Sequence, residues 1–418
     1  MLSHSIPFDP ATPATALSQL PEAPAVFALF AADPHAEPYL ARTSNLRRRL
    51  SRFLDAKPSQ TKRLRLTERV VRIEYAPTGS AFESDLVLYA ASLQAFGERG
   101  RKRLHLHSPA LLKMSVKNPY PRVYVTNKVT KSALDSLYGP FPSRAAAERY
   151  LEEMLNLFFL RRCYPDLNPD PAFPGCIYSE MKMCLAPCFQ GCTNERYAEE
   201  AARVRAFLDT NGQSQLAELA RDRDLASDAL DFERAATLHA RIQKVEAVAG
   251  LASEAVHPLS RLRALIVQPA AEPGHVALFL LSTGSLIGPA SYSTLGMRLH
   301  NEQSGSSSLY THPYSLEAVP LNQPQAAGGN TLEQRLTDAL SDLDGRLNAT
   351  NPSSQTLADH LCLFTRWYYR PATKRIGEAL FWPPGTPPPR KAFLRAISRV
   401  AITRQLGPGN AVGIEARA

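Results

Sequence analysis

The chain has 418 residues, 44% of them hydrophobic, and a formal net charge of +9. This length predicts roughly two to four domains, and the hydrophobic content excludes a wholly disordered chain. The excess of positive charge predicts a polyanionic partner.

The N-terminal stretch begins MLSHSIPFDPATPATALSQL and lacks a basic start followed by an apolar run, so no signal peptide is expected. No uninterrupted apolar segment approaches the roughly 20 residues that span a bilayer. The sequence therefore predicts a cytoplasmic protein without a membrane partner.

Basic residues cluster in three places before residue 108: RTSNLRRRLSRF, KPSQTKRLRL and GERGRKRLHLH. A solvated basic face would also have this composition. Nucleic acid is favoured over an acidic membrane because no lipid anchor or long apolar amphipathic stretch accompanies the clusters.

The first hundred residues predict one small α/β unit. AVFALFA, at 25–31, has the length and composition of a strand, and PYLARTS completes a hairpin with it. SNLRRRLSRFLDA then predicts a helix capped by Ser44 or Asn45, and RVVRIEYAP a further strand. SAFESDLVLYAASLQAFG predicts a second helix that opens at Ser80 and closes at Gly97.

Helices dominate the centre of the chain. One is predicted from Ser143 to Cys163, and a helical region follows from about residue 195 to 250, with two amphipathic helices meeting near Asp231. From Arg261 the pattern changes to the short strands RALIVQP, HVALFLLSTG and SLIGPASYS, followed by linker sequences between 301 and 330.

Four of the six cysteines lie close together with the spacing C-x12-C-x7-C-x3-C, at Cys163, Cys176, Cys184 and Cys188. No histidine falls between His107 and His239, so thiolates alone would hold a local metal. Zinc accepts four thiolates and so does an iron–sulfur cluster, while four small buried thiols are the non-metal alternative. The clustering favours metal ligation, and the spacing alone leaves both metals open.

Four blocks, in the same order, resemble the UvrC family, whose members incise DNA in bacterial nucleotide excision repair. They are PAVFALF…PYLARTSNLRRRLSRFL, SAFESDLVL, YGPFPSRAAAERYLEEMLNLFFLRRC…CIYSEMKMCLAPC and ALDFERAATLHARI. The resemblance extends from near Pro24 to about Tyr292.

The resemblance implies an α/β (α+β) multidomain fold. The expected parts are a GIY-YIG-like nuclease domain with a small sheet flanked by helices (15–100), a connecting region with the four cysteines (101–200), a UVR-like helical hairpin (205–250) and a diverged remnant that resembles the lead-in to a second nuclease domain (260–418). The aspartates and histidine of that second active site find no match here.

The resemblance assigns the residues of the family's nuclease site, one by one, to positions of this chain. By its resemblance to the GIY-YIG motifs, Tyr39 is the candidate general base, Glu83 the ligand of a Mg²⁺ (or Mn²⁺) ion, and Arg49, with Arg42, the clamp on the scissile phosphate. Considered singly, each has a plainer interpretation: a half-buried strand tyrosine, solvated arginines, and an acid favoured by a helix start.

The sequence departs from the family pattern at three positions. Phe27 replaces the tyrosine of the first motif, Ala41 the glycine of the second, and Phe53 a tyrosine on the following helix. Two phenolic hydroxyls are therefore absent, and losing one hydrogen bond of an active site can cost about 10²–10³ in rate.

The cysteine block matches the region where UvrC proteins bind a [4Fe–4S] cluster, so the resemblance selects Cys163, Cys176, Cys184 and Cys188 as cluster ligands over zinc, with a structural role. The segment LASDALDFERAATLHARI resembles the UVR motif through which UvrC docks onto UvrB. Its apolar surface would come from these side chains: Leu230, Phe232, Ala235, Ala236 and Leu238.

Together these features predict a DNA endonuclease of excision repair that makes a single metal-dependent incision in lesion-bearing double-stranded DNA, with UvrB as direct and UvrA as indirect partner. The alternative is a catalytically weakened homologue that binds UvrB or DNA and regulates repair. A zinc-stabilised nucleic-acid binder unrelated to repair is a third possibility.

Overall fold

A computed structural model describes residues 2–54, 66–115, 118–163, 166–297 and 331–406. Within these ranges the chain forms three four-stranded antiparallel sheets, so the expected mixed α/β, multidomain class is confirmed. The predicted basic cluster at 57–65 and the linker sequences at 301–330 lie outside the described residues.

The strands are His4–Pro7 (β1), Ala25–Ala31 (β2), Tyr39–Thr43 (β3), Val70–Pro77 (β4), Ala110–Met114 (β5), Val123–Thr126 (β6), Leu137–Phe141 (β7), His257–Pro258 (β8), Arg263–Pro269 (β9), His275–Ser282 (β10), Ser285–Ser293 (β11) and Glu378–Phe381 (β12).

The helices are Pro13–Ser18 (α1), Leu46–Leu54 (α2), Leu66–Arg69 (α3), Ala81–Phe96 (α4), Glu98–Arg103 (α5), Arg144–Leu155 (α6), Ile177–Glu180 (α7), Asn194–Thr210 (α8), Gln213–Asp228 (α9), Phe232–Ala249 (α10), Leu332–Asn348 (α11), Ser354–Tyr368 (α12) and Arg390–Leu406 (α13). No helix in the described ranges is long and apolar enough to cross a membrane.

The first sheet has the strand order β1-β4-β2-β3 and carries helices on both faces. Alternate residues of β2, including Phe27 and Leu29, are buried against α1 and α2, as the apolar stripe of α2 requires. The sheet also takes in His4–Pro7, which precede the predicted start at residue 15.

Helix α4 is covered on two sides, by the first sheet and by the C-terminal part of the chain. Its Phe82 ring lies 5.2 Å from Phe279 of β10 and 5.0 Å from Trp367 of α12, measured between ring centroids. The N-terminal unit is therefore joined to the C-terminal unit through buried aromatic side chains.

A second sheet, of order β6-β5-β7-β8, occupies the region predicted only as a connection. The prediction that one helix runs from Ser143 to Cys163 is wrong, because α6 ends at Leu155. Beyond that point the backbone N–H of Phe159 donates to Glu200 Oε1 (2.7 Å), and the N–H of Arg161 donates to the Tyr197 hydroxyl (3.2 Å). These amides bind α8 instead of continuing the helix.

Helices α8, α9 and α10 cover the second sheet, and α9 and α10 form the predicted hairpin. The third sheet, of order β11-β10-β9-β12, lies between α12 on one face and α11 with α13 on the other. Burial on both faces explains why HVALFLLS is a continuous apolar run and does not alternate.

Candidate functional site

Tyr39, Phe27, Phe53 and Arg49 lie together on one face of the first sheet. The Tyr39 ring is 6.1 Å from Phe27 and 5.9 Å from Phe53 between centroids, and the Arg49 guanidinium carbon lies 4.4 Å from the Phe53 ring centroid. Tyr39 is 39% exposed, whereas Phe27 is fully buried. Tyr39 and Arg49 therefore both lie against the Phe53 ring, which brings a phenol and a guanidinium, two groups that can bind an anion such as phosphate, to the same part of the surface.

Local sequence positions this pair. Asn45 Oδ1 accepts the Arg48 N–H (2.9 Å) and caps the start of α2, directly after β3. Leu46, Leu50 and Leu54 are fully buried and fix the rotation of the helix. As a result Arg49 and Phe53, four residues apart, share the face next to Tyr39.

Arg42 is three residues from Tyr39 on β3. Because successive residues of a strand point to alternate faces, the two side chains lie on opposite faces. Its Nη1 is 2.5 Å from Asp85 Oδ1 on α4. Arg370 Nη2 is 3.6 Å from the other oxygen of the same carboxylate. The structure thus separates Arg42 from the Tyr39–Arg49 pair.

Glu83 lies in the first turn of α4 and is 8% exposed. Its Oε2 accepts the Gly79 N–H (2.7 Å), and its own N–H donates to Ser80 Oγ (3.1 Å). Burial raises the pKa of the Glu83 carboxyl, and the hydrogen bond from Gly79 opposes that shift. Within the described part of the chain, no hydrogen bond or ion pair joins Glu83 to Tyr39 or Arg49.

The four clustered cysteines line one narrow recess, together with Arg161 and Arg162. Cys163 follows the extended segment after α6, Cys176 precedes α7, and Cys184 and Cys188 lie in the turns beyond it. The space between them is about 10 Å³, close to that of one water molecule. Cysteines that are separated by 12 and by 7 intervening residues in the sequence are therefore brought to one recess.

The thiols of the recess affect one another electrostatically. Burial raises the pKa of the Cys184 thiol, the N–H of Ala186 opposes the shift, and the other three clustered cysteines add to it. Burial, and then Cys176, raises the pKa of Cys188. A bound cation relieves such mutual repulsion, because metal ligands are thiolates.

Buried polar residues hold the segment that leads to Cys163 in place. Arg161 is 2% exposed; its Nε donates to the Tyr120 carbonyl (2.8 Å), and its Nη1 lies 3.5 Å from Cys163 Sγ. Tyr197 donates to the Pro121 carbonyl (2.8 Å), and Glu200 is fully buried. Sequence reasoning missed these residues, since neither a buried arginine nor a buried glutamate has a local signal.

The donor chemistry of the recess fits a metal centre held by thiolates. The volume between the thiols does not distinguish zinc from an iron–sulfur cluster. Across the described ranges, no three His, Cys, Asp or Glu side chains are arranged to hold a single metal ion. Zinc requires sulfurs about 2.3 Å from one centre, so the thiols would have to reorient for zinc as well as for a larger cluster. Cys192 and Cys362 are not among the residues that line this recess.

The turn between α9 and α10 exposes large apolar side chains. Leu225, Leu230 and Phe232 are 64%, 72% and 65% exposed. Leu238, expected on this surface, is instead 7% exposed and packs in the core beneath the hairpin. The exposed apolar surface is therefore at the tip of the hairpin.

Comparison with known proteins identifies the central part of the chain. Residues 110–207 match the model of the UvrC/Cho excinuclease middle domain. This segment contains the second sheet, the four cysteines and most of α8. The central part of the chain is thus similar to that domain, and it follows the first sheet in the sequence.

Three relatives illustrate the similarity, and each is a UvrABC system protein C. The chain is 29% identical over 211 residues to that of Mannheimia succiniciproducens, covering 50% of this chain and 34% of the relative. For Nitratidesulfovibrio vulgaris the identity is 32% over 217 residues, covering 50% and 30%. For Carboxydothermus hydrogenoformans it is 27% over 293 residues, covering 68% and 46%.

Over the matched segments the chain is similar to proteins of the UvrC family. The matched segments span less than half the length of these three relatives. No solved structure matches the chain significantly.

Proposed function

We propose that the chain is a UvrC-like DNA endonuclease that makes a single metal-dependent incision near a lesion during nucleotide excision repair. The observation that carries the proposal is the exposed Tyr39 phenol beside the Arg49 guanidinium, on a sheet that precedes an excinuclease middle domain. A guanidinium can neutralise the charge that develops on a phosphate during hydrolysis.

In this proposal Tyr39 helps to activate the attacking water and Arg49 binds the scissile phosphate. Glu83 would hold a hydrated Mg²⁺ or Mn²⁺ through Oε1, because the Gly79 N–H occupies Oε2. Mg²⁺ is often bound by only one or two carboxylates and water, so a single glutamate is a sufficient protein ligand.

The test is nicking of a lesion-bearing duplex in the presence of cognate UvrA, UvrB and Mg²⁺. Tyr39→Phe and Arg49→Gln should each reduce nicking, and Arg48→Gln, an exposed arginine on the same helix, should not. A wild-type chain that does not nick, or an Arg49→Gln variant as active as Arg48→Gln, would contradict the proposal.

Glu83 needs an isosteric substitution, because its carboxylate also binds the Gly79 backbone. Glu83→Gln retains an oxygen that accepts this N–H and removes the charge that binds a metal. Loss of nicking with an unchanged melting temperature supports the metal role. Full nicking activity of this variant would show that Glu83 only stabilises the start of α4.

For the cysteine recess we propose a [4Fe–4S] cluster with a structural role, and zinc as the alternative occupant. Four thiols in one recess support a thiolate-bound centre, and the buried Arg161 beside Cys163 would offset the negative charge of its thiolates. The Ala186 N–H directed at Cys184 is of the kind that tunes cluster potentials.

Iron and acid-labile sulfide, measured after anaerobic purification, distinguish the occupants, and a zinc-only protein would contradict the cluster. Cys184→Ser should abolish iron binding. Cys192→Ser is the matched control, since Cys192 is near the recess but does not line it. Iron lost equally from both variants would contradict the assigned set of four.

A second candidate function is regulation of repair by a weakly active homologue that binds UvrB. Two observations favour it: the family tyrosines are replaced by Phe27 and Phe53, and the hairpin tip exposes Leu230 and Phe232. Exposed apolar side chains on a helical hairpin are suited to packing against a partner helix pair.

Binding of purified UvrB tests this candidate. Phe232→Ser should weaken the complex, whereas Leu295→Ser, which changes an 80% exposed leucine elsewhere, should not. Binding of UvrB without detectable nicking supports the regulatory function over the nuclease. Equal UvrB affinity for the two variants contradicts the hairpin tip as the docking surface.

A further inference from the structure

A basic cleft lies between the second sheet and α12, away from the Tyr39–Arg49 pair. Its volume is about 510 Å³. The residues that line it include Arg144, Arg366, Arg370 and His107, and none of its lining residues is an aspartate or a glutamate. The cleft is therefore positively charged along its walls.

Each wall of the cleft comes from a different part of the chain. His107 ends the predicted basic cluster GERGRKRLHLH, and Arg144 begins α6. Arg366 and Arg370 come from the last turn of α12 and the residues after it, and Arg366 donates to the carbonyls of Leu104 and His105. Part of the predicted basic cluster is thus fixed at this cleft, which neither Tyr39 nor Arg49 lines.

The arginines are only partly neutralised. Arg144 Nε lies 2.7 Å from Glu148 Oε1, one turn along α6, in an exposed pair that is weak in water. Arg370 shares Asp85 with Arg42. Burial raises the pKa of Asp85, and the charges of Arg42, Arg370 and Arg366 oppose that shift. One carboxylate thus faces three guanidinium groups, which leaves an excess of positive charge.

The start of α6 adds partial positive charge to the same wall. Ser143 accepts the Ala146 N–H (3.1 Å), and the first turn of this 12-residue helix contains no acidic side chain. Helix N-termini favour anions within the first turn. The arginines and the helix terminus therefore act on the same anion.

The size of the cleft limits what it admits. A volume of a few hundred Å³ encloses a fragment of small-molecule size. A duplex is far wider, since its major groove alone measures about 12 Å. A recessed site also excludes the flat surface of a membrane. The ligand that combines this size with a line of negative charges is a single strand of nucleic acid.

We propose that this cleft, bounded by Arg144, Arg366 and Arg370, binds the phosphodiester backbone of a short single-stranded stretch of the DNA on which the chain acts. The inference deepens the proposed function, since the partner is the same DNA, but it assigns a site outside the candidate nuclease face. Backbone contacts without base contacts predict binding that is sensitive to salt and indifferent to base sequence.

The experiment measures fluorescence anisotropy of labelled single-stranded DNA with the full chain, without UvrA, UvrB or Mg²⁺. Arg144→Gln removes an exposed cation of the cleft, and Arg149→Gln removes an exposed arginine of the same helix that does not line it. Each phosphate contact to a single strand contributes about 0.7 to the slope of log K against log salt concentration. Loss of one contact therefore lowers the affinity about five-fold at 0.1 M salt.

We expect Arg144→Gln to weaken binding about five-fold and to flatten the salt dependence by about 0.7, with Arg149→Gln close to wild type. Arg370→Gln should behave as Arg144→Gln does. Equal affinities for the two α6 variants overturn the proposal, and melting temperatures confirm that both variants are folded.

Two further arms identify the ligand. An Arg144-dependent affinity that is higher for RNA of the same sequence overturns the assignment to DNA. Displacement of the DNA by inorganic phosphate at constant ionic strength overturns it in favour of a small-anion site. If the chain binds single-stranded DNA in an Arg144-dependent way but never nicks the duplex, the cleft proposal stands and the proposed nuclease function is wrong. If the chain nicks the duplex but its binding does not depend on Arg144, the nuclease function stands and the cleft proposal is wrong.

Discussion

The two phenylalanines beside Tyr39 differ in burial, and this difference determines which tyrosine can be restored. Phe27 is fully buried, with its ring enclosed between the sheet and α2. Phe53 is partly exposed, and the Arg49 guanidinium lies over its ring. Phe27→Tyr therefore adds a hydroxyl inside an apolar core, and Phe53→Tyr adds one near solvent.

A buried hydroxyl without a partner costs about 1–3 kcal/mol. We expect Phe27→Tyr to lower the unfolding free energy by that amount, which corresponds to a melting temperature lower by about 2–4 °C per kcal/mol. Phe53→Tyr should change the stability by less than about 0.5 kcal/mol. It should also raise nicking by about ten-fold or more, because one site hydrogen bond contributes up to about 10²–10³ in rate.

Thermal unfolding and nicking of the lesion-bearing duplex, measured on the same preparations, test both expectations. Phe207→Tyr is the matched control, since Phe207 is equally buried in the middle domain. It should lose stability as Phe27→Tyr does and nick as wild type does. A Phe27→Tyr variant that melts with wild type and nicks faster would refute the reasoning, because it would place a polar partner next to that ring.

Three other changes test different parts of the molecule. Burial lowers the pKa of His360 to about 4, so the unfolded chain, with a histidine pKa near 6.5, takes up the proton first as the pH falls. Chemical denaturation should show about 2 kcal/mol of stability lost between pH 7 and pH 5, and His360→Gln, which can still accept the Leu286 N–H, should lose less. Gln268→Met should raise the unfolding free energy by about 1–3 kcal/mol, because the buried amide has no hydrogen-bond partner in the described part of the chain; an unchanged midpoint would show that a partner exists. Asp85→Asn should strengthen single-strand binding several-fold by releasing Arg42 and Arg370, and anisotropy that matches wild type would contradict this.

Local patterns predicted the elements that position the candidate nuclease face. The apolar run 25–31 is β2 with the expected bounds, and Ser80 and Gly97 flank α4 as its caps. Each of these signals is written within a few neighbouring residues, as an alternation, a cap or a turn.

Contacts between distant segments could not be predicted in the same way. The sheet of β5, β6 and β7 was missed because its strands are short and pair across intervening turns. Gly79, whose N–H binds Glu83, packs closely against a distant segment: a Cβ on Gly79 would lie 2.1 Å from the carbonyl oxygen of Pro269, at the end of β9. The four cysteines were predicted as a group, but the buried Arg161, Tyr197 and Glu200 that hold them carry no sequence signal.

Asp85 connects the two surfaces to which DNA binding is assigned. Its two carboxylate oxygens face Arg42, at the edge of the nuclease-like sheet, and Arg370, in the basic cleft. Phosphate groups and this carboxylate compete for the same guanidinium groups, so a strand that occupies the cleft weakens the hold of Asp85 on Arg370. The carboxylate is then free to pair more closely with Arg42. In the proposed function this favours Arg49 over Arg42 as the arginine that would bind the scissile phosphate. A strand bound in the cleft would in this way keep Arg42 paired with α4, while the Tyr39–Arg49 face stays open to the duplex.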